Sequence, residues 1–280
     1  MISTTSFFAL VATLAYLLAA IRIAQRIATV SGGDGSAAER DRLARRIALG
    51  GIVSHTIALW PSLFDQADPF APDLAMTLSL AGLITVAIFA VAAELEWMDQ
   101  GAGMLALSLT SFAPLVPVIW TSPPAVTLSE ATIHLHATIS LAGYAILTLA
   151  VFQALVFSWQ EFRIRNHRPT PALASFASLE TQERWLFQWV GLGFFLLSLS
   201  LISGLMFIDD ILAQHLVHKT ALSCLAWAIF GTLLWGRRRY GWRGQQAVRW
   251  CLFGFAALAV AYFGSRLILE VLLDRRWYPA

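Results

Sequence analysis

Four of the six histidines form two close pairs, and each pair begins a long apolar segment. They are His134 with His136, and His215 with His218. Imidazole is the commonest side chain that binds transition metals, and it is also an axial ligand of haem iron. Two imidazoles at the same depth on two helices could hold a flat macrocycle between them. The elements that carry the two pairs decide whether such a site can form.

The composition predicts that these elements cross a membrane. The chain has 280 residues, of which 58% are hydrophobic and 13% charged. Several apolar stretches reach about 17–25 residues, the length that spans a bilayer core. We therefore predict an all-α, polytopic membrane helix bundle that forms a single domain over residues 1–280. Its eight transmembrane helices are expected at 5–25, 47–64, 74–95, 103–121, 133–158, 185–207, 214–235 and 247–271. Pro114 and Pro117 predict a kink in the fourth span.

The distribution of charge predicts how the bundle is oriented. Three loops on one side hold fifteen of the nineteen Lys and Arg residues: Arg22, Arg26, Arg40, Arg42, Arg45 and Arg46, then Arg163, Arg165, Arg168 and Arg184, then Arg237, Arg238, Arg239, Arg243 and Arg249. The positive-inside rule makes these loops cytoplasmic, so both termini face outward, into the periplasm, from a bacterial inner (cytoplasmic) membrane. A basic run beside a membrane segment is typical of a topogenic anchor. We therefore expect contact with the lipid bilayer and none with nucleic acid.

One histidine of each pair is the stronger ligand candidate. By helix rise, His136 and His218 each lie roughly 5 Å inside the outer end of their spans. His134 points to nearly the opposite side of its helix from His136. His215 shares a face with His218 and is an alternative ligand. Histidines at this level also cap helices or reach toward headgroups, so a structural role stays open.

Three further side chains could belong to a site. His55 lies in the middle of the second span, where an ionisable group usually faces the bundle interior. It could be a second-site metal ligand, a proton relay or a neutral histidine bonded to a neighbouring helix. Arg266 and Lys219 could bind the propionates of a haem, since cationic side chains pair with carboxylates. Arg266 could equally form a local ion pair with Glu270, four residues further on.

Several motifs resemble the cytochrome c assembly family, which groups the CcsA, CcmC and CcmF haem-handling proteins with HemX. They are the run from His136 to Tyr144 with Gln153-Ala-Leu, the run from His218 to Trp227, Gly241-Trp242-Arg243-Gly244, and Tyr262 to Arg266. The resemblance covers roughly 130–272 and is greatest to the YpjD-type inner-membrane branch. It implies that His136 and His218 are the axial ligands of a non-covalent haem b. It also implies that His55 corresponds to an intramembrane histidine of the family.

One family feature is missing. The tryptophan-rich WWD segment, which presents haem to apocytochrome in the synthases of the family, is replaced by Met206-Phe-Ile-Asp-Asp-Ile-Leu212. The resemblance then implies haem binding for transfer, storage or tetrapyrrole regulation, with other membrane or periplasmic haem-pathway proteins as partners. The two cysteines form no CxxC or CxxCH motif, which excludes a covalent c-type cytochrome. Without a nucleophile–base set or a phosphate loop, we do not expect hydrolytic or ATP-driven catalysis.

Two other functions compete with haem handling. Asp209, Asp210, His215 and His218 could form an outward metal-capture site, because carboxylate and imidazole together suit divalent metals. The chain would then be a transport or transport-accessory protein for a divalent cation. Alternatively, it is a non-catalytic structural partner of another membrane protein, and alanine is tolerated at every histidine.

Overall fold

The computed structural model describes residues 3–29, 36–64, 74–120, 131–167, 171–207 and 214–264. All regular elements in these ranges are helical, which confirms the all-α class. They are α1 (Thr4–Thr29), α2 (Ser36–Phe64), α3 (Leu74–Glu94), α4 (Gln100–Thr110), α5 (Val116–Ile119), α6 (Ala131–Arg165), α7 (Leu179–Phe207), α8 (Gln214–Tyr240) and α9 (Gln245–Ala259). Short 3₁₀ turns cover Ala113–Leu115 and Pro171–Ser175, and a π-helical turn, Val260–Gly264, continues α9.

Among the described residues, these helices confirm the predicted number of eight helical segments. The fourth span is broken: α4 and α5 are joined by the 3₁₀ turn that contains Pro114. Proline interrupts a helix because it has no N–H to donate and its ring clashes with the preceding turn. Six spans are apolar and long enough, by length and composition, to cross a membrane. The chain is therefore a multi-pass membrane protein.

Helix α6 is central to the bundle. It packs antiparallel to α7 and also contacts α3, α4 and α9, while α1 and α2 form a second hairpin and α8 and α9 a third. The middle of α6 is fully buried at Leu147, Leu149, Ala150 and Ala154. Large apolar side chains on other helices, such as Leu14 and Phe195, are exposed, as expected for surfaces that face lipid. The central helix therefore carries the candidate ligand His136 into contact with α7.

Alternating helix directions give the bundle two distinct ends. We call one end the basic end; it holds Thr29, Glu94, Arg165 and Tyr240. We call the other end the histidine end; it holds Thr4, Leu74, Ala131 and Gln214. Contacts between helices hold the basic end together. The Arg45 guanidinium lies 2.9 Å from the Glu94 carboxylate, and the Ser175 hydroxyl donates to the carbonyl of Ile27. That the histidine end faces outward stays a prediction.

Candidate functional site

The His136 imidazole lies half-buried between the start of α6 and the end of α7. Its Nδ1 atom is 2.9 Å from the Ser203 hydroxyl oxygen. Ser203 donates its own proton to the carbonyl of Ser200, at 3.0 Å. Both contacts are satisfied at once when Ser203 donates to Ser200 and accepts from Nδ1–H of His136. In this tautomer the lone pair of His136 is on Nε2.

Among the described residues, the Ser140 hydroxyl lies 3.5 Å from Nε2 of His136, at the limit of a hydrogen bond. That hydroxyl donates to the His136 carbonyl, 2.7 Å away, and lies 2.6 Å from the Ser200 hydroxyl. One ring nitrogen is thus fixed by a hydrogen bond and the other keeps its lone pair. This is the arrangement that metal-ligating histidines usually have.

Gly204 makes the close approach of α7 to the imidazole possible. A Cβ atom at this position would lie 3.1 Å from Cε1 of His136, closer than side chains normally pack. Neither Gly204 nor the serines at 140, 200 and 203 were identified from the sequence. The available signal was the cluster of small residues Ser200, Ser203 and Gly204 in an apolar span, which is typical of tight helix contacts in membranes.

The start of α8 and the end of the last described span lie beside this group. The Lys219 ammonium is 4.8 Å from the centre of the Tyr262 ring, a cation–π contact. The Tyr262 ring is 6.3 Å from the ring of Tyr144, which lies two turns along α6 from His136. The charge of Lys219 is also close enough to act on the His136 imidazole. Thus α6, α8 and the chain after α9 meet at the histidine end.

For the second predicted axial ligand, His218, the structure describes the position in its helix but not the side chain. Because α8 begins at Gln214, His215 and His218 lie in its first two turns, at the same end as His136. The side chains of these two histidines lie outside the described residues, as do Asp209, Asp210, Arg266 and Glu270. Within the described part of the chain, no three His, Cys, Asp or Glu side chains are grouped so that they could hold a metal ion.

His55 belongs to a different group of side chains. It is fully buried, as expected for an ionisable residue in the middle of a span. Its Nδ1 is 3.3 Å from the hydroxyl of Tyr16 on α1, and its Nε2 is 2.8 Å from the hydroxyl of Ser79 on α3. His55 therefore links three helices, and both ring nitrogens have hydrogen-bonding neighbours.

A buried acidic residue at the basic end, Asp99, was not predicted from the sequence. Its Oδ1 accepts from the backbone N–H of Gly101, at 2.8 Å, and so caps α4. Its Oδ2 accepts from the N–H of Ala177, at 2.9 Å, and from the Gln182 amide. Burial raises the pKa of the Asp99 carboxyl, although the two backbone hydrogen bonds oppose this effect. The available signal was an Asp directly before a helix, a common N-cap.

Residues 73–273 match the family described as Cytochrome C assembly protein. Inner membrane protein YpjD of Escherichia coli (strain K12) is 29% identical over 274 residues, which cover 95% of this chain and 98% of that protein. Protein HemX of Brevibacillus brevis is 24% identical over 172 residues, 61% of this chain and 62% of HemX. Cytochrome c biogenesis protein CcsA of Mesostigma viride is 22% identical over 196 residues, 62% of this chain and 61% of CcsA. No solved structure matches the chain.

The family match spans well over half of the 280 residues. It contains the helices that carry His136, His218 and the Gly241–Gly244 turn, on which the resemblance was first based. The chain belongs to the cytochrome c assembly protein family.

Proposed function

We propose that this chain binds haem b non-covalently at the outward face of the bacterial inner membrane, with His136 and His218 as axial ligands. The observation that carries the proposal is the hydrogen-bonded state of His136. Its Nδ1–H is held by Ser203, which leaves Nε2 to ligate. The inner membrane is inferred from the name of the relative YpjD and from the multi-pass fold.

The donor set at the histidine end fits a haem. The macrocycle would supply an iron with two axial positions and two anionic propionates. His136 offers a neutral imidazole, and α8 starts at the same end with His218 in its second turn. Lys219 follows directly, and its ammonium could pair with a propionate. Arg266 is proposed as the second propionate ligand, and His215 as an alternative to His218. His55 stays a candidate for a second site.

The proposed role is haem transfer, storage or tetrapyrrole regulation in cooperation with other membrane or periplasmic haem-pathway proteins. The missing tryptophan-rich segment before α8 supports a role other than covalent ligation to apocytochrome. The family membership and the relatives named for cytochrome c biogenesis support a place in cytochrome assembly.

An absorption spectrum of the detergent-purified protein, before and after haem addition, tests the proposal. We expect a Soret band with low-spin, bis-histidine features that is lost in His136→Ala and in His218→Ala. His134→Ala is the matched control, because His134 lies two residues away on the other side of α6, and it should retain the band. Protein that takes up no haem, or a band that survives both substitutions, contradicts the proposal. Colourless protein that binds a divalent metal through Asp209 and Asp210 would support the cation alternative instead.

A further inference from the structure

A second candidate site lies at the basic end, where the end of α6, the start of α7 and the turn between α8 and α9 meet. They line a half-open cavity of about 710 Å³. Its wall includes the apolar side chains of Phe157 and Leu179. Its polar lining includes Arg165 from α6, Arg184 from α7, Arg237 from the end of α8 and Arg243 from the turn. Guanidinium groups are well suited to phosphate oxygens, which they can bind through two parallel hydrogen bonds.

Two largely buried glutamates contact three of these arginines. The Glu183 carboxylate is 3.3 Å from Nη1 of Arg237 and 3.7 Å from Nε of Arg243. The Glu161 carboxylate accepts from the Gln245 amide at 2.8 Å and is 3.7 Å from Nη1 of Arg165. Each guanidinium has five N–H donors, so these contacts occupy only part of each group. Arg165 and Arg243 remain 73% and 77% exposed, which leaves most of their donor surface accessible.

The turn between α8 and α9 is built to present Arg243. Gly241 and Gly244 have φ angles of +68° and +59°, in the left-handed region that favours glycine. They allow the chain to reverse within the four residues between the two helices. The ring of Trp242 lies against Gly236 and stacks on Trp250 with ring centres 5.2 Å apart. Arg243 therefore directly follows an anchored residue, Trp242, at the edge of the cavity.

The cavity lies at the level of a membrane–water boundary. Two apolar spans end beside it, at Arg165 and Tyr240, and a third begins there at Leu179. Aromatic side chains, which are enriched at this level in membrane proteins, surround the turn: Trp235, Tyr240, Trp242 and Trp250. The four arginines and the three lining glutamates, Glu161, Glu180 and Glu183, leave one net positive charge. A phosphodiester carries one negative charge, and lipid chains could extend over the apolar wall.

We propose that this cavity binds a phosphate group, either in the headgroup of an anionic phospholipid or in a soluble phosphate compound. The site is separate from the proposed haem site. About 29 residues of α6, roughly 40 Å at the helical rise, separate His136 from Arg165. Its function does not depend on haem binding.

Native mass spectrometry of the full chain in detergent, titrated with phosphatidylglycerol, tests the proposal. Diacylglycerol with the same acyl chains is the ligand control, because it lacks the phosphate. We expect Arg184→Gln/Arg243→Gln to weaken phosphatidylglycerol binding about tenfold, since it removes charge-assisted hydrogen bonds. Arg238→Gln/Arg239→Gln removes two exposed arginines from the same end, outside the cavity, and should have less than about a twofold effect. If Arg184→Gln/Arg243→Gln unfolds at a lower temperature than the wild type, the single variant Arg184→Gln, at an exposed position, is used in its place.

Competition with inorganic phosphate identifies the source of the group. If millimolar phosphate displaces phosphatidylglycerol, the cavity accepts a soluble phosphate; if it does not, the site is specific for the lipid headgroup. Either result is compatible with a phosphate site. If both double variants lose the same amount of affinity for phosphatidylglycerol, general surface charge explains the binding and the proposal is overturned. Unchanged binding in the cavity variants, or diacylglycerol binding as tight as phosphatidylglycerol, would also overturn it.

Discussion

At the scale of single residues, His136 could be selected from the sequence as a candidate ligand, but the residues that contact its ring could not. Paired histidines at the start of an apolar segment are visible without a structure. The partner of Nδ1, Ser203, lies 67 residues further along the chain. Serine is common in membrane spans, and nothing in its local sequence distinguishes Ser203 from Ser198, which donates to the carbonyl of Phe194 and accepts from Trp227 of α8. Only the packing of α7 against α6 and α8 separates the two roles.

Ser203→Ala should therefore weaken haem binding while leaving the fold intact. The substitution removes the acceptor of Nδ1–H, so the ring loses its fixed tautomer and orientation. Removal of such a supporting partner typically lowers metal affinity about 10–100-fold. A haem titration followed at the Soret band measures the change. Thr148→Ala on α6, whose hydroxyl donates within its own helix to the carbonyl of Tyr144, should keep the wild-type affinity. Wild-type affinity in Ser203→Ala would show that the hydrogen bond has no part in ligation.

At the scale of elements, the number of spans and the break at Pro114 were predictable, whereas the faces of the helices were not. In a soluble helix, the polar side marks the surface. In a membrane helix, the lipid-facing and buried sides are both apolar, so periodicity carries little information about which side meets a neighbour. Gly204 escaped prediction for this reason. The bounds also differ: α6 runs over Ala131–Arg165, beyond the predicted 133–158, because charged residues continue the helix past the apolar stretch.

The Asp99 group, which joins α4, α6 and α7, should make stability depend on pH. Gln153 on α6 accepts from the Asp99 N–H, and Gln182 on α7 donates to its carboxylate. Burial raises the pKa of Asp99 in the folded state above its unfolded value. The fold therefore favours the protonated acid, and this contribution is complete below the unfolded pKa. It is lost as pH rises through the folded pKa.

Thermal unfolding of the wild type and of Asp99→Asn, compared from about pH 4 to pH 8, measures this contribution. The stability of the wild type relative to the variant should fall as the pH increases. Asn at this position can still cap α4 through its side-chain oxygen, so the variant is expected to fold. A difference that stays constant, or grows with pH, would mean that Asp99 is not destabilised as a carboxylate.

At the scale of the whole molecule, α6 connects the two proposed sites, which lie at opposite ends of the bundle. Its 35 residues extend about 50 Å, well beyond the roughly 30 Å of the hydrocarbon core. His136 near one end and Arg165 at the other therefore reach the two headgroup regions. Which region is periplasmic is predicted from the arginines, since the sequence analysis assigns fifteen of the nineteen Lys and Arg residues to the three connections on one side of the membrane. The proposed haem site faces outward only if that rule holds for this chain.

Reporter fusions in a bacterial host decide the orientation. Alkaline phosphatase joined after Ala280 should be active, and green fluorescent protein at the same position should be dark, because the first folds only in the periplasm and the second only in the cytoplasm. Truncation after Arg239, at the basic end, places the same reporters on the other side of the membrane and should reverse both results. If the fluorescent protein joined after Ala280 is fluorescent, the histidine end faces the cytoplasm. The proposed haem would then be held on the cytoplasmic side, and the phosphate cavity would face the outer leaflet.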